Sequence, residues 1–230
     1  MKNVVIVALM LFLSGSMMGQ GARFSLQMGA AIPIGDIAQN TSHPKKGGFT
    51  TTGLDIGFVV ERIFKNNFVS GVSIGYAVFG VDEDAIKRII NPTNPNAVLV
   101  ESQPVQNINI QARGGYNLAL MEDKLNITPF IDAGIGVFNS AYYIIQVPNG
   151  LRYLRDGNSG VALLVAPGMD ISYAVNDFWS IKIFGDYQFA NYKVDEKYTL
   201  LGNADPIVKL ETVNYNYSCV STGIGATLTF

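Results

Sequence analysis

One histidine and one cysteine stand in 230 residues. With His43 alone, a metal centre built on several histidines is excluded. With Cys219 alone, so are an intrachain disulfide and a lipid-anchoring cysteine behind the N-terminal apolar run, and the thiol reads as an inert strand residue. Charge is scarce too: Asp, Glu, Lys and Arg make up 15% of the chain, against roughly 25% in ordinary soluble domains. A net charge of −2 without any run of Lys or Arg leaves no footprint for nucleic acid. Sustained three-to-four periodicity is missing beyond residue 22, which removes amphipathic helices as the main building unit. The paired glycines Gly134-x-Gly136 and Gly223-x-Gly225 lack the spacing and strand-to-helix context of a nucleotide fingerprint and read as packing glycines.

What is present begins with "VVIVALMLFL", Val4 to Leu13, behind Lys2 and ahead of Ser14, Gly15 and Ser16. A positive start, a short apolar run and a small-residue exit describe a secretory signal peptide, and the run is too short to span a bilayer as a helix. The expected organisation is a signal peptide over 1–22, cleaved somewhere in 16–22, followed by one domain over 23–230.

Eight stretches alternate with period two, near 23–32, 49–61, 68–80, 104–118, 125–139, 160–174, 178–192 and 213–230. Short links at 62–67, 119–124 and 175–177 alternate with long ones near 33–48, 81–103, 140–159 and 193–212. In an up-and-down array this puts all short turns at one end and all long loops at the other. The fold class expected is therefore all-β: an eight-stranded antiparallel transmembrane barrel with short periplasmic turns and long extracellular loops. An even strand count lets the first and last strands pair, so that no edge stays open.

The faces decide between a barrel in lipid and a soluble one. Trp179, Ile181, Ile183, Tyr187 and Phe189 stand opposite Ser180, Lys182, Asp186 and Gln188; Ile108, Ile110, Ala112 and Tyr116 stand opposite Asn107, Asn109, Gln111 and Arg113. The polar sets are small and weakly charged, which suits a crowded lumen rather than a water-facing surface. Arg23, Asp55, Glu61, Arg113, Asp132, Asp170, Lys182 and Asp186 are the expected interior charge network. Aromatics are expected in two belts, Phe64, Phe68, Trp179 and Phe230 at the turn end, and Phe79, Tyr142, Tyr143, Tyr192, Tyr215 and Tyr217 at the loop end. In the last strand the apolar set moves to Val213, Tyr215 and Tyr217, which signals either a β-bulge near Ser218 to Val220 or a stretch above the membrane.

The opening "ARFSLQMGAAIPIGD" at 22–36, the Gly-rich "PFIDAGIGVF" at 129–138 and the closing "GIGATLTF" resemble the outer-membrane β-barrel domain family, in particular its PorT-like group of small barrels. The resemblance covers nearly the whole chain after the signal segment. It implies residence in the bacterial outer membrane among lipids and lipopolysaccharide, and no fixed catalytic residues or cofactor. It also implies that Phe230 serves as a signal to the barrel-assembly machinery. A peptidoglycan-binding segment of the OmpA type is not expected after the last strand.

Chemistry is sparse. His43 with Ser42 and Asp82 or Asp84 is the one imaginable triad, and nothing in the sequence brings these loops together. The run Asp82-Glu83-Asp84 could offer oxygen ligands to Ca²⁺ but reads first as a solvated charge run heading a short amphipathic piece, Ala85 to Ile90. The "NPTNPN" stretch at 91–96 is a turn-rich loop tip. No enzyme activity is expected. The leading expectation is a plugged barrel with a structural or interaction role, its apolar loop residues Val98, Leu99, Val100, Ile144, Ile145 and Val147 either meeting an extracellular or envelope partner or extending the sheet. A narrow pore lined by the interior charges, and a component of a secretion or gliding machine, are the alternatives, with an outer-membrane acyl-transfer enzyme ranked last.

Overall fold

The computed structural model describes residues 21–38, 49–90, 96, 98–146, 152–202 and 205–230, without the side chains of 87–90 and 99. The signal segment up to residue 20, His43 with Ser42, Val147 and nearly all of 91–96 lie outside the described residues.

Among the described residues, twelve strands form one antiparallel sheet. In chain order they are β1 (Ala22–Gly35), β2 (Gly53–Ile63), β3 (Phe68–Phe79), β4 (Val98–Gln103), β5 (Val105–Tyr116) and β6 (Leu118–Leu120). There follow β7 (Leu125–Asn139), β8 (Tyr142–Gln146), β9 (Arg152–Asp156), β10 (Ser159–Ala174), β11 (Trp179–Leu201) and β12 (Ile207–Thr229). One α-helix, α1 (Glu83–Ile90), precedes β4.

The pairings run β1 to β2, β3, β5, β7, β10, β11 and β12, and β12 pairs back onto β1. These members of the cycle coincide with the eight stretches of alternation. Four further strands are added to them. β6 lies beside β7 in a short link, while β9, β8 and β4 continue outward from β11 as a side sheet.

The expected long link over 193–212 is overturned: β11 runs on to Leu201 and β12 starts at Ile207, so most of that stretch is a paired hairpin. The register explains why the alternation was hard to follow there. Every pair from Trp179↔Leu228 to Leu200↔Ile207 is in step, and β1 pairs β12 without a shift from Arg23↔Thr229 to Gly35↔Tyr217. The expected bulge near Ser218 to Val220 is therefore absent. What changes is chemistry, not phase: Trp179, Ile181, Ile183, Tyr187 and Phe189 face outward, and the same face continues as the polar Asn191, Lys193, Asp195 and Lys197. The inward face inverts in parallel, from Lys182 and Gln188 to Tyr192, Val194 and Tyr198. A strand crossing from an apolar to an aqueous exterior must do this, because its exposed face follows the solvent while its pleat stays fixed.

At the turn end the rim is stitched by backbone hydrogen bonds between neighbouring turns, Asn117 N to Asn67 O and Ala174 N to Lys124 O, both 2.8 Å. Gly21 N donates to Phe230 O at 3.1 Å and Phe230 N to Ala22 O at 3.0 Å, so the last strand is held against the first up to its final residue. Asn67 sits at φ 64° in the tight link between β2 and β3, a conformation that Asn tolerates better than most residues.

Candidate functional site

The outward face of the cycle is a continuous apolar band. Leu26, Met28, Ile56, Phe58, Ile74, Ile110, Ile131, Ile135, Leu163, Ile181, Ile183 and Ile224 are all exposed. A contiguous apolar surface of this kind needs a non-aqueous neighbour. At the turn end it is bordered by Phe64, Phe68, Tyr116, Tyr173, Phe178, Trp179 and Phe230, all exposed. The expected belt at the loop end is corrected: Phe79, Tyr192, Tyr215 and Tyr217 are buried in the interior of the cycle and Tyr143 is buried in a satellite cluster with Phe49 and Ile86, while Tyr142 is half-buried.

The middle of the lumen is polar and centred on Arg113. Its Nε donates to Asp132 Oδ1 and its Nη2 to Asp132 Oδ2, each at 2.9 Å, and Nη1 donates to Asp170 Oδ2 at 3.0 Å and reaches Glu61 Oε2 at 3.5 Å. The guanidinium plane lies over the Phe130 ring, 3.7 Å from its centroid. Lys182 Nζ shares Asp170 Oδ2 at 3.0 Å, and Ser73 Oγ donates to Asp132 Oδ2 at 3.0 Å. The pleat places all of these inward from β2, β3, β5, β7, β10 and β11.

Of the eight expected network residues, Glu61, Arg113, Asp132, Asp170 and Lys182 are joined by these contacts. Asp55 and Asp186 line the same small mid-lumen cavity of about 20 Å³, with Gln27, Gln111 and Gln188 as neighbours. Space on that scale is close to the minimum that holds one water molecule, on the order of 10–15 Å³. Arg23 stands opposite Glu61 on the neighbouring strand but belongs to the turn-end mouth rather than to the Arg113 cluster.

Above the polar layer Phe79, Phe138, Tyr192, Tyr215 and Tyr217 pack together with Val105, Leu164, Val194, Val213 and Cys219. Phe138 stacks on Tyr192 at 5.2 Å between ring centroids, and Tyr192 meets Tyr217 edge-on at 5.7 Å. Tyr192 Oη donates to Asn107 Oδ1 at 2.9 Å, which ties the aromatic layer to the polar one.

Sequence reasoning missed a second buried charge cluster, in the hairpin extension. Arg155 of β9 is paired with Glu196 of β11, and the Tyr215 hydroxyl of β12 accepts from Arg155 and donates to Glu196. Tyr198 Oη donates to Glu196 Oε2 at 2.6 Å. Arg155 and Glu196 are 1% and 0% exposed, so the pair needs these partners to offset its burial. Burial raises the Tyr198 phenol above its ordinary range; Arg155 opposes that shift and Glu196 adds to it. The clue was available: inward parity carried past Gln188 lands on Val194, Glu196 and Tyr198.

On the same side α1 packs Ala85 and Ile86 against Phe49, Tyr143 and Ile145. Asp82 caps the helix, its Oδ1 accepting the Ala85 N–H at 2.8 Å. Glu83 Oε1 accepts from Ser102 Oγ at 3.0 Å. Val98 and Val100 on β4 are exposed, whereas Ile145 on β8 is buried, so the apolar loop residues extend the sheet.

No protein-family model matches the chain, and no curated protein matches it, so the PorT-like resemblance stands on the sequence alone. Solved structures do match. A major outer membrane protein from Thermus thermophilus is 12% identical with a TM-score of 0.54, over 91% of this chain and 99% of that one. Neisserial surface protein A is 12% identical with a TM-score of 0.49, over 91% and 97%. Ail, the attachment invasion locus protein of Yersinia pestis, is 12% identical with a TM-score of 0.46, over 93% and 100%. At this identity the first likeness concerns the fold, and the fold it shares is that of an outer-membrane protein.

Proposed function

We propose that the chain is an eight-stranded outer-membrane β-barrel with a closed interior, whose role is to hold a rigid extracellular platform for contact. The cycle of eight paired strands is the barrel, and β4, β8 and β9 with the outer halves of β11 and β12 are the platform. Dimensions support the placement. The step from Trp179 to Phe189 covers about 33 Å at roughly 3.3 Å per residue, or about 25 Å after a tilt of roughly 40°, which is the height of an apolar barrel band. The platform then rises from Asn191 to Leu201, about 33 Å along the strand by the same rise.

The observation that carries the closed interior is the stacking of the buried Arg113 cluster and the aromatic layer across the lumen, with a cavity of only about 20 Å³ beside Arg113. A hydrated ion needs far more. The exposed Leu201, Ile207 and Leu210 at the platform tip, 40%, 66% and 72% accessible, support contact with a partner or with surrounding lipopolysaccharide.

Single-channel recording in a planar bilayer tests the reading. Barrels whose insertion is verified by protease protection of the apolar band should give no discrete steps. Steps whose size changes in Arg113→Gln or Lys182→Gln would replace the closed scaffold with a charge-lined pore.

A further inference from the structure

The turn-end mouth holds a feature that a closed scaffold does not require. A cavity of about 810 Å³ opens there, lined by Arg23, Arg62 and Lys65 with Asp123 as the one acid, and with Asn66 and Asn67 on its edge. That volume is in the range of small-ligand sites, roughly 300–1,000 Å³. Three cations against one carboxylate make it a basic pocket in a chain of net charge −2.

The two guanidinium groups are underused. Arg23 feels the carboxylates of Glu61, Asp170 and Asp123 but has no close ion pair with a described residue; Glu61 is engaged by Arg113, and Asp170 is shared by Arg113 and Lys182. Arg62 lies over the Phe64 ring at 5.4 Å, and its Nε is buried without an acceptor among the described residues. Buried donors of this kind are normally satisfied, and a forked guanidinium matches an oxyanion with two parallel hydrogen bonds. Asn117 and Asn126 hydrogen-bond to each other at 2.9 Å and to neighbouring groups, which stiffens the far wall.

We propose that this mouth is a phosphate-binding site, in which Arg23 and Arg62 clasp a phosphate group from two sides and Lys65 adds a mobile third charge. Two sources supply that chemistry, a phospholipid headgroup from the adjacent leaflet and a free phosphate compound. The periplasmic side of the site rests on the orientation proposed above, whereas binding itself does not.

The test uses the refolded full chain in zwitterionic micelles, titrated with inorganic phosphate and with glycerol phosphate while the side-chain resonances of Arg23, Asn66 and Asn67 are followed. Saturable shifts that weaken at least tenfold in Arg23→Gln/Arg62→Gln, and are unchanged in the platform control Lys209→Gln, are expected for a soluble ligand. In a second arm, native mass spectrometry counts phosphatidylglycerol and phosphatidylcholine retained from mixed nanodiscs. Retention of phosphatidylglycerol lost in the same double variant, without saturable shifts in micelles, assigns the site to a lipid headgroup. Equal behaviour of wild type and double variant in both arms overturns the proposal, provided that the variant keeps the compact unboiled gel band of the barrel.

Discussion

Arg113 and Asp132 face each other on β5 and β7 and are joined by two parallel hydrogen bonds of 2.9 Å, Nε to Oδ1 and Nη2 to Oδ2. The same guanidinium also serves Asp170 and Glu61, so a single cation holds three carboxylates that sit at 4%, 5% and 6% exposure. Removing it should therefore be far worse than losing one surface pair. Arg113→Met is expected to destabilise by about 3–5 kcal/mol, the scale for orphaning a buried charge. Arg113→Met/Asp132→Leu should recover part of that loss, because one stranded carboxylate has gone. Urea unfolding from lipid vesicles measures both, and additive costs would show that the two residues act independently.

At Gly136 on β7 the lumen leaves no room for a side chain, since a Cβ there would collide with the Tyr192 hydroxyl. Gly136→Ala should cost about 1–3 kcal/mol by overpacking. The remedy is specific: in a Tyr192→Phe background the added methyl finds room, so the double variant should lose less than the sum of the singles. If Gly136→Ala is neutral in thermal unfolding of the micellar protein, the aromatic layer is looser than the packing of Phe138 on Tyr192 indicates.

The residues that alternate inside the apolar band were readable from sequence because a two-residue period with lipid outside leaves little ambiguity. Ile181 and Ile183 have to face out if Lys182 is to find Asp170. Above the band the same logic fails, because the outside turns polar and the inside apolar: Tyr215 and Tyr217 look like lipid-facing aromatics until their register with Tyr192 and Ala190 is known. Arg155 was illegible for a different reason. Its partner Glu196 lies on another strand, and the pairing of β9 with β11 is a tertiary contact that local alternation does not encode. Within the eight-strand cycle, alternation cannot separate membership of the Arg113 cluster from mere inward orientation, so Arg23, Asp55 and Asp186 read the same as Asp132 and Asp170 in the sequence.

The platform should respond to alkali through Tyr198. Burial and the Glu196 carboxylate hold its phenol in the protonated form past the ordinary tyrosine range, against the pull of Arg155. In the unfolded chain the group ionises near the usual value of about 10. Its contribution to stability is thus complete below about pH 10, declines as the unfolded state gives up the proton, and is lost as pH rises through the raised folded value. In a spectrophotometric tyrosinate titration, wild type minus Tyr198→Phe should yield one phenol ionising well above that range, together with opening of the platform. A difference curve centred at the ordinary value would mean that Glu196 and Tyr198 are not buried together.

The inversion between Phe189 and Asn191 on β11 predicts where the bilayer ends. Both residues share the outward face two positions apart, and no register shift separates them. An arginine introduced at Ile183, near the middle of the apolar band, should cost about 2–4 kcal/mol of folding free energy in vesicles, whereas Asn191→Arg should cost less than about 1 kcal/mol. The intermediate position Tyr187→Arg should fall between them, so that the three values trace the depth of the strand. Because these side chains make no use of the lumen, the series isolates the exterior environment from the packing of the interior. Equal, small costs at all three positions would mean that water rather than lipid faces Ile183, and the exposed apolar band would then have to be covered by protein instead.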